Sequence, residues 1–237
     1  MVGLNEAQRE AVTSPSTLIL CLAGAGSGKT TVLTSRVAYL HQEKRVGTSN
    51  MLCLTFTRLA GKEMKERVMK LVGTQEGQNL FCNTFHAFAV SVLREWGQKI
   101  GIDKNFTIYD QEDRQAILEV IIQEFGGKTT LKKVLKILSE GLEEQSEERR
   151  VISEYEYRLK QNNAVDLDNL INMVNILWRD NREVLDYYKR IYTYVFVDEF
   201  QDTNEEQMDM INLLNPPTLF IVGDDFQAIY GWRGARV

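Results

Sequence analysis

Proline is scarce in this chain of 237 residues: there are three, Pro15, Pro216 and Pro217. Residues 16 to 215 hold none, so nothing in that stretch removes a backbone N–H or forces a kink, and long helices are permitted. Cysteine is equally sparse. Cys21, Cys53 and Cys82 form no CxxC pair, which excludes a disulfide framework and a zinc site. Each sits in an apolar, strand-like context and reads as a small core residue. No apolar run approaches the ~18 residues that a membrane span needs. The longest, Leu18 to Ala23 and Leu219 to Val222, are strand-sized. The opening MVGLNEAQREAV lacks the basic start and apolar stretch of a signal peptide, so a cytoplasmic location and no membrane partner are expected. An excess of positive charge is missing too: 28 Lys+Arg face 33 Asp+Glu, a net charge of -5. A nucleic-acid partner would have to be held by a local groove, against the bulk field.

What is present is an ordinary globular composition, 43% hydrophobic and 26% charged, in a distinct order of elements. Thr17 to Leu22 reads as a buried strand and Lys29 to Gln42 as a helix with Val32, Leu33, Val37 and Leu40 at helical spacing. A strand at Met51 to Thr55, a helix at Ala60 to Leu71, a short strand at Leu80 to Asn83 and a helix at Phe85 to Ile100 follow. This alternation predicts an α/β fold, a parallel sheet with helices on both faces. Between about 103 and 192 the pattern predicts helices only, at Glu112 to Phe125, Leu131 to Leu138, Glu147 to Asn162 and Leu167 to Arg179. The run SEGLEEQSEERR, with five glutamates, reads as a solvated turn or helix end. Strands return at Tyr194 to Val197 and Leu219 to Val222. The expected organisation is one discontinuous α/β domain, 1–102 with 193–237, carrying an inserted all-helical subdomain, 103–192.

The strongest local signal is LILCLAGAGSGKTTVL, in which an apolar strand runs into Gly24, Ala25, Gly26, Ser27, Gly28, Lys29 and Thr30 and a helix follows. Glycines let backbone N–H groups curl around an anion, and the helix N-terminus adds its partial positive charge. Lys29 is placed to reach the β- and γ-phosphates of a nucleotide and the Thr30 hydroxyl to hold Mg²⁺. Ala23 stands where the strict pattern has glycine, a small substitution. Gly127-Lys128-Thr129 spells the same three letters, but Ile122 lies five residues before Gly127 in a helical context. No cradle can form there, and the segment reads as a turn between helices.

The segment YVFVDEFQDTN adds the second half of a site: a hydrophobic strand ending in Asp198-Glu199. Adjacent carboxylates after a buried strand are costly unless a cation or hydrogen bonds satisfy them. Asp198 suits the outer coordination of Mg²⁺, and Glu199 suits a general base that orients water.

With these motifs in order, the chain resembles the N-terminal ATP-binding region of UvrD/Rep/PcrA-type superfamily 1 DNA helicases: a first RecA-like P-loop NTPase domain with its helical insertion. LNEAQREAV, AGAGSGKT, TFTRLAGKEMKERV, TFHAFAVSVLR, YRLKQNNAVDLDNLI, DEFQDTN and VGDDFQAIYGWRGA carry the resemblance across nearly the whole sequence. It implies ATP with Mg²⁺ and gives roles to matching positions. Gln8 would contact adenine, Arg67 the nucleotide, and Gln227 would sense the γ-phosphate as part of the catalytic set with Glu199 and Lys29. Phe56, Tyr230 and Trp232 would line a single-stranded DNA path with Thr57, His86 and Arg233. Aromatic faces stack on any base, at about 1–3 kcal/mol each, which suits a motor indifferent to sequence. Three positions depart from the family pattern: Arg58-Leu59 where Asn-Lys is usual, Thr31 where an arginine is common, and Asp168-Asn169 where a carboxylate is lost.

The resemblance further implies partners: single-stranded DNA or a single/double-strand junction, and a second RecA-like domain in cis or in trans. That second domain would supply arginines that contribute about 10³–10⁵ in rate in related phosphoryl transfer. The 237-residue chain alone is therefore expected to bind Mg-ATP, turn it over slowly and separate no strands. Lys128, Lys132, Lys133 and Lys136 form a basic stretch in the insertion that reads as a solvated face, with contact to duplex phosphates as the alternative. Two other functional readings stand beside the motor: a nucleotide-gated DNA- or protein-binding module, and a helicase-like subunit of a nuclease or defence complex.

Overall fold

The computed structural model describes residues 3–24, 26–140 and 146–224. The chain divides into two compact units, Met1–Phe88 with Trp178–Val237, and Ala89–Leu177. In chain order the helices and strands are α1 (Glu6–Thr13), β1 (Leu18–Leu22), α2 (Lys29–Lys44), β2 (Met51–Thr55), α3 (Arg58–Val72), α4 (Thr74–Asn79), β3 (Phe81–Thr84) and α5 (Phe85–Trp96). There follow β4 (Thr107–Tyr109), α6 (Gln111–Glu124), α7 (Leu131–Glu140), α8 (Ser146–Gln161), β5 (Ala164–Asp166), α9 (Leu170–Asp180), α10 (Arg182–Ile191), β6 (Tyr194–Val197), α11 (Glu205–Leu214) and β7 (Thr218–Gly223). No helix among the described residues is long and apolar enough to cross a membrane.

The first unit is built on a five-stranded parallel sheet in the order β1-β7-β6-β2-β3. Its central strands are apolar on both sides because both faces are covered. One face packs Val32, Leu33, Val37 and Leu40 of α2 and Met64 and Val68 of α3 against Met51, Cys53, Phe196 and Phe220. The other carries an aromatic cluster in which Phe88 meets the rings of Phe81, Trp178, Tyr188 and Tyr192 edge-on. Gly61 permits the close seating of α3, since a Cβ there would lie 3.1 Å from Asn83 Cα. Cys53 and Cys82 are buried core thiols, paired in register across β2 and β3. Cys21 is half-buried. β1 departs from the expected buried strand: it pairs among the described residues with β7 alone. Leu18, Leu20 and Leu22 are accordingly 66%, 54% and 53% exposed.

Helix starts follow their capping residues. Asn5 accepts from the Gln8 N–H while Gln8 Oε1 accepts from the Asn5 N–H, a reciprocal box that begins α1. Asn204 and Gln207 do the same for α11, and Thr57 caps α3.

The second unit is mainly helical. Leu118, Ile121, Val134, Val151 and Tyr155 form the core between α6, α7 and α8. It also contains a short parallel ladder, β4 with β5, where only helices were expected. Gly126 and Gly127 take positive φ between α6 and α7, so GKT here is a turn, as read from sequence. Thr129 has a structural task there: its hydroxyl donates to Glu148 at 2.6 Å, and Lys133 Nζ lies 2.9 Å from the same carboxylate. Glu148 is therefore 2% exposed, against the expectation of a solvated acidic run. These two partners hold its pKa down to about 2.

Candidate functional site

The loop after β1 is fixed at both ends. Ala23 donates to the Gly223 carbonyl at 3.0 Å, tying the loop start to the end of β7, and the Ser27 N–H donates to Gly24 at 3.2 Å. Gly26 and Gly28 take φ of 76° and 88°, left-handed values that an L side chain resists. Gly28 is also the N-cap of α2 and supplies no side-chain cap, so the first-turn N–H groups face outward as anion donors. Gln8 buttresses this turn. Its side-chain nitrogen donates to the Ser27 carbonyl at 2.9 Å, and a Cβ on Gly28 would lie 3.1 Å from it.

The acid pair arrives from β6. The Asp198 N–H donates to the Leu54 carbonyl at 3.0 Å, extending the β2–β6 register past the last strand residue. Glu199 then takes φ 50° and ψ 48°. That left-handed step breaks strand alternation, and both carboxylates line one cavity. Strain of this kind in a non-glycine residue persists where surrounding contacts hold it. Asp198 is 3% exposed. Burial, then the Glu199 charge, pushes its pKa up to about 6, against the pull of the Glu199 N–H, Lys29 and the Thr30 hydroxyl.

Lys29 sits between acids, with its Nζ 3.0 Å from Glu199 Oε2 and 3.6 Å from Asp224 Oδ2. Burial works against its charge, but the hydrogen bonds and charges of those two carboxylates raise its pKa above the ordinary lysine value. The cavity around it measures about 640 Å³, and Gly26, Thr30, Thr31, Phe56 and Arg67 are among its lining residues. Lys29 and Arg67 share this space with the carboxylates of Asp198, Glu199, Asp202 and Asp224.

The residues present fit Mg²⁺. Among the described residues no group of three His, Cys, Asp or Glu could cage a metal. Mg²⁺ does not need one, since it keeps waters and takes one or two protein oxygens plus substrate phosphates. The Thr30 hydroxyl and the buried, poorly solvated Asp198 carboxylate are adjacent and of the right type.

The positions singled out from sequence fall in several places. Gly26, Gly28, Lys29, Thr30, Thr31, Phe56, Thr57, Arg67, Asp198 and Glu199 line the same cavity. Gln8 and Ser27 line a neighbouring cavity of about 390 Å³ beneath α1 and β1. Gly24 closes the loop between them. His86 is half-buried in the first turn of α5, and Phe56 packs edge-on against Phe85. Ala25, Gln227, Tyr230, Trp232 and Arg233 lie outside the described residues. Sequence reading gave no role to Thr55, Gln201, Asp202 or Asp224, which also line the main cavity. Asp224 could have been found as the first acid after the strand that precedes it; Gln201 carried no comparable signal.

Residues 4–237 match the model of the UvrD/REP helicase N-terminal domain. Among characterised relatives, the ATP-dependent DNA helicase PcrA of Staphylococcus aureus is 40% identical over 254 aligned positions, covering 99% of this chain and 35% of the relative. The protein of the same name from Staphylococcus epidermidis is 39% identical over 255 positions, with the same coverage of 99% and 35%. The chain thus spans about a third of the length of these relatives.

Proposed function

The chain belongs to the UvrD/REP helicase N-terminal domain family, and from that premise we propose that it is the ATP-binding motor domain of an ATP-dependent DNA helicase or translocase that tracks single-stranded DNA, 3′-to-5′ in the complete machine. The observation that carries this reading is the Lys29 ammonium held between Glu199 and Asp224, beside Thr30 and Asp198, at the mouth of an uncapped helix.

The chain's own residues define the chemistry. The α2 N-terminus and Lys29 bind the phosphates, and the γ-phosphate displaces Glu199 and Asp224 from the lysine. Thr30 and Asp198 would hold Mg²⁺, which supplies charge neutralisation on the β- and γ-phosphates. Glu199, released from Lys29, accepts a hydrogen bond from the attacking water and takes its proton as the water oxygen bonds to phosphorus and the bridging oxygen leaves with ADP. Gln8, whose side-chain nitrogen donates to the Ser27 carbonyl, is proposed as the adenine contact, with the cavity that Gln8 and Ser27 line proposed to take the adenine. Phe56, Thr57, His86 and, in the segment after β7, Tyr230, Trp232 and Arg233 are proposed as the DNA contacts. Gln227 is proposed to report the γ-phosphate to them. The division of labour proposed for the chain is a discontinuous RecA-like domain with a helical insertion, working with a second RecA-like domain.

In the 237-residue chain, cleavage is expected to be slow and strand separation absent, because arginines supplied across a domain cleft carry much of the rate in such systems. The test is equilibrium binding of a fluorescent ATP analogue with and without Mg²⁺, beside a strand-separation assay on a forked duplex. Mg²⁺-dependent binding that Thr30→Ala abolishes, with no unwinding, is the expected pair of results. Mg²⁺-independent binding, or efficient unwinding by this chain, contradicts the reading. A nucleotide-gated binding module is the second reading. It is disfavoured because Lys29 and Glu199 are both present and in contact, whereas a module that no longer cleaves has no use for the acid.

A further inference from the structure

Gln201 makes a connection that none of the roles above requires. It follows Glu199 by two residues, in the single 3-10 turn Phe200–Asp202. Its side-chain nitrogen donates to Glu199 Oε2 at 2.7 Å, and its side-chain oxygen accepts from the Asp224 backbone N–H at 2.9 Å. One amide group thus bridges the acid after β6 and the main chain directly after β7. An amide has a donor and an acceptor at the same end of the side chain, so glutamine can make both bonds and an ionised glutamate only one. The approach is close: a Cβ on Gly223 would lie 3.2 Å from Gln201 Oε1.

The bridge matters because of what else holds Glu199. Its backbone is in the left-handed region, and its carboxylate meets two side chains, Lys29 and Gln201. Lys29 is the group a phosphate would claim. When it turns to the phosphate, the carboxylate keeps one of the two partners, Gln201. The other end of that partner is anchored to the backbone from which the segment after β7 departs.

We infer that Gln201 is a positioning residue, resting on the ATP reading above. It holds the Glu199 carboxylate in its working orientation once Lys29 has engaged phosphate, and it ties that orientation to the position of the chain at Asp224. A shift of the chain at Asp224 then moves the base, and loss of the base's position is felt at Asp224. Among the described residues, Lys29 and Gln201 both join Glu199 to Asp224, and Gln201 is the one left in place when Lys29 turns to phosphate.

The test uses the whole 237-residue chain and two measurements: the affinity of a slowly hydrolysed Mg-ATP analogue, and single-turnover cleavage of γ-labelled ATP with protein in excess, followed for a day. Gln201→Met keeps the volume and removes both bonds. Gln201→Glu keeps the acceptor for Asp224 and replaces the donor to Glu199 with a like charge. Both are expected to bind the analogue within about threefold of the unmutated chain and to cleave at least tenfold more slowly. Such a split is not produced by general loosening, which lowers affinity and melting temperature together. Equal cleavage in Gln201→Glu overturns the inference, because the Glu199 bond would then be idle. Loss of affinity in step with rate overturns it as well, by making the role structural. An unmutated chain that binds the analogue and cleaves nothing in a day also overturns it, since Glu199 is then not in working position. An unmutated chain that binds no nucleotide defeats the ATP reading itself.

Discussion

Replacing Asp198 with asparagine should stabilise the nucleotide-free chain while removing its use for Mg²⁺. Asp198 is 3% exposed, and burial with the neighbouring Glu199 charge moves its pKa from 3.8 to about 6. At about 1.4 kcal/mol per pKa unit, the ionised carboxylate costs the folded chain about 3 kcal/mol above pH 6. A raised folded-state pKa means that the folded chain binds the extra proton between about pH 4 and 6. This contribution therefore favours folding at low pH and is lost as pH rises through 6. Asparagine keeps the oxygen that accepts from the Glu199 N–H at 3.1 Å and carries no charge, so it recovers much of that cost. With about 2 kcal/mol recovered, the metal-free melting temperature at pH 8 should rise by roughly 4–8 °C. At pH 5 the folded carboxyl is largely protonated but the unfolded one is still ionised, so the gain should fall to about half, vanishing only below the ordinary 3.8. Calorimetry at the two pH values in the presence of a chelator reads both, and analogue binding with Mg²⁺ reads the functional loss. An unchanged melting temperature at pH 8, or an equal shift at both pH values, would refute the claim that a buried charge is being carried for function.

Other substitutions test other joints. Gly28→Ala should weaken analogue binding at least tenfold, because φ 88° and the Gln8 contact at 3.1 Å both resist a Cβ; titration of the same analogue reads it. Thr129→Val should lower the melting temperature, leave nucleotide affinity unchanged and make stability fall less steeply with acid below pH 4.5. Glu148, held at about 2 by Thr129 and Lys133, contributes stability above its ordinary 4.5 that is lost as pH falls towards 2. Phe56→Ala should weaken binding of an oligothymidylate by about 1–3 kcal/mol in fluorescence anisotropy if the ring stacks on a base. An effect on nucleotide affinity alone would instead assign Phe56 to the cavity it lines.

The parts of the site that sequence revealed are those whose residues are contiguous. The glycine-rich loop and the Asp198-Glu199 pair each state their chemistry within a few residues, and the fold places both on one cavity. The link from Gln201 to Asp224 spans 23 residues and exists only because β7 lies between β1 and β6, an order that no local pattern encodes. β4 and β5 are three residues each, too short for alternation to register. The acidic run concealed Glu148 because composition cannot show that Thr129 and Lys133 stand across from it. β1 reads as a buried strand from its apolar letters alone, whereas its exposure follows from being the last strand of the described sheet. α11, by contrast, announces itself with Asn204 three residues before Gln207, a capping signature that the strand-centred reading passed over.

The measurement that bears most directly on the central claim is the dissociation constant of a slowly hydrolysed Mg-ATP analogue for this chain and for Lys29→Ala. Lys29 is the cation that two carboxylates hold at 3.0 and 3.6 Å. The account predicts Mg²⁺-dependent binding that falls at least a hundredfold in the variant, compared at a temperature where both proteins are folded. Equal affinity of the two proteins for the analogue, or no binding by either, would contradict it.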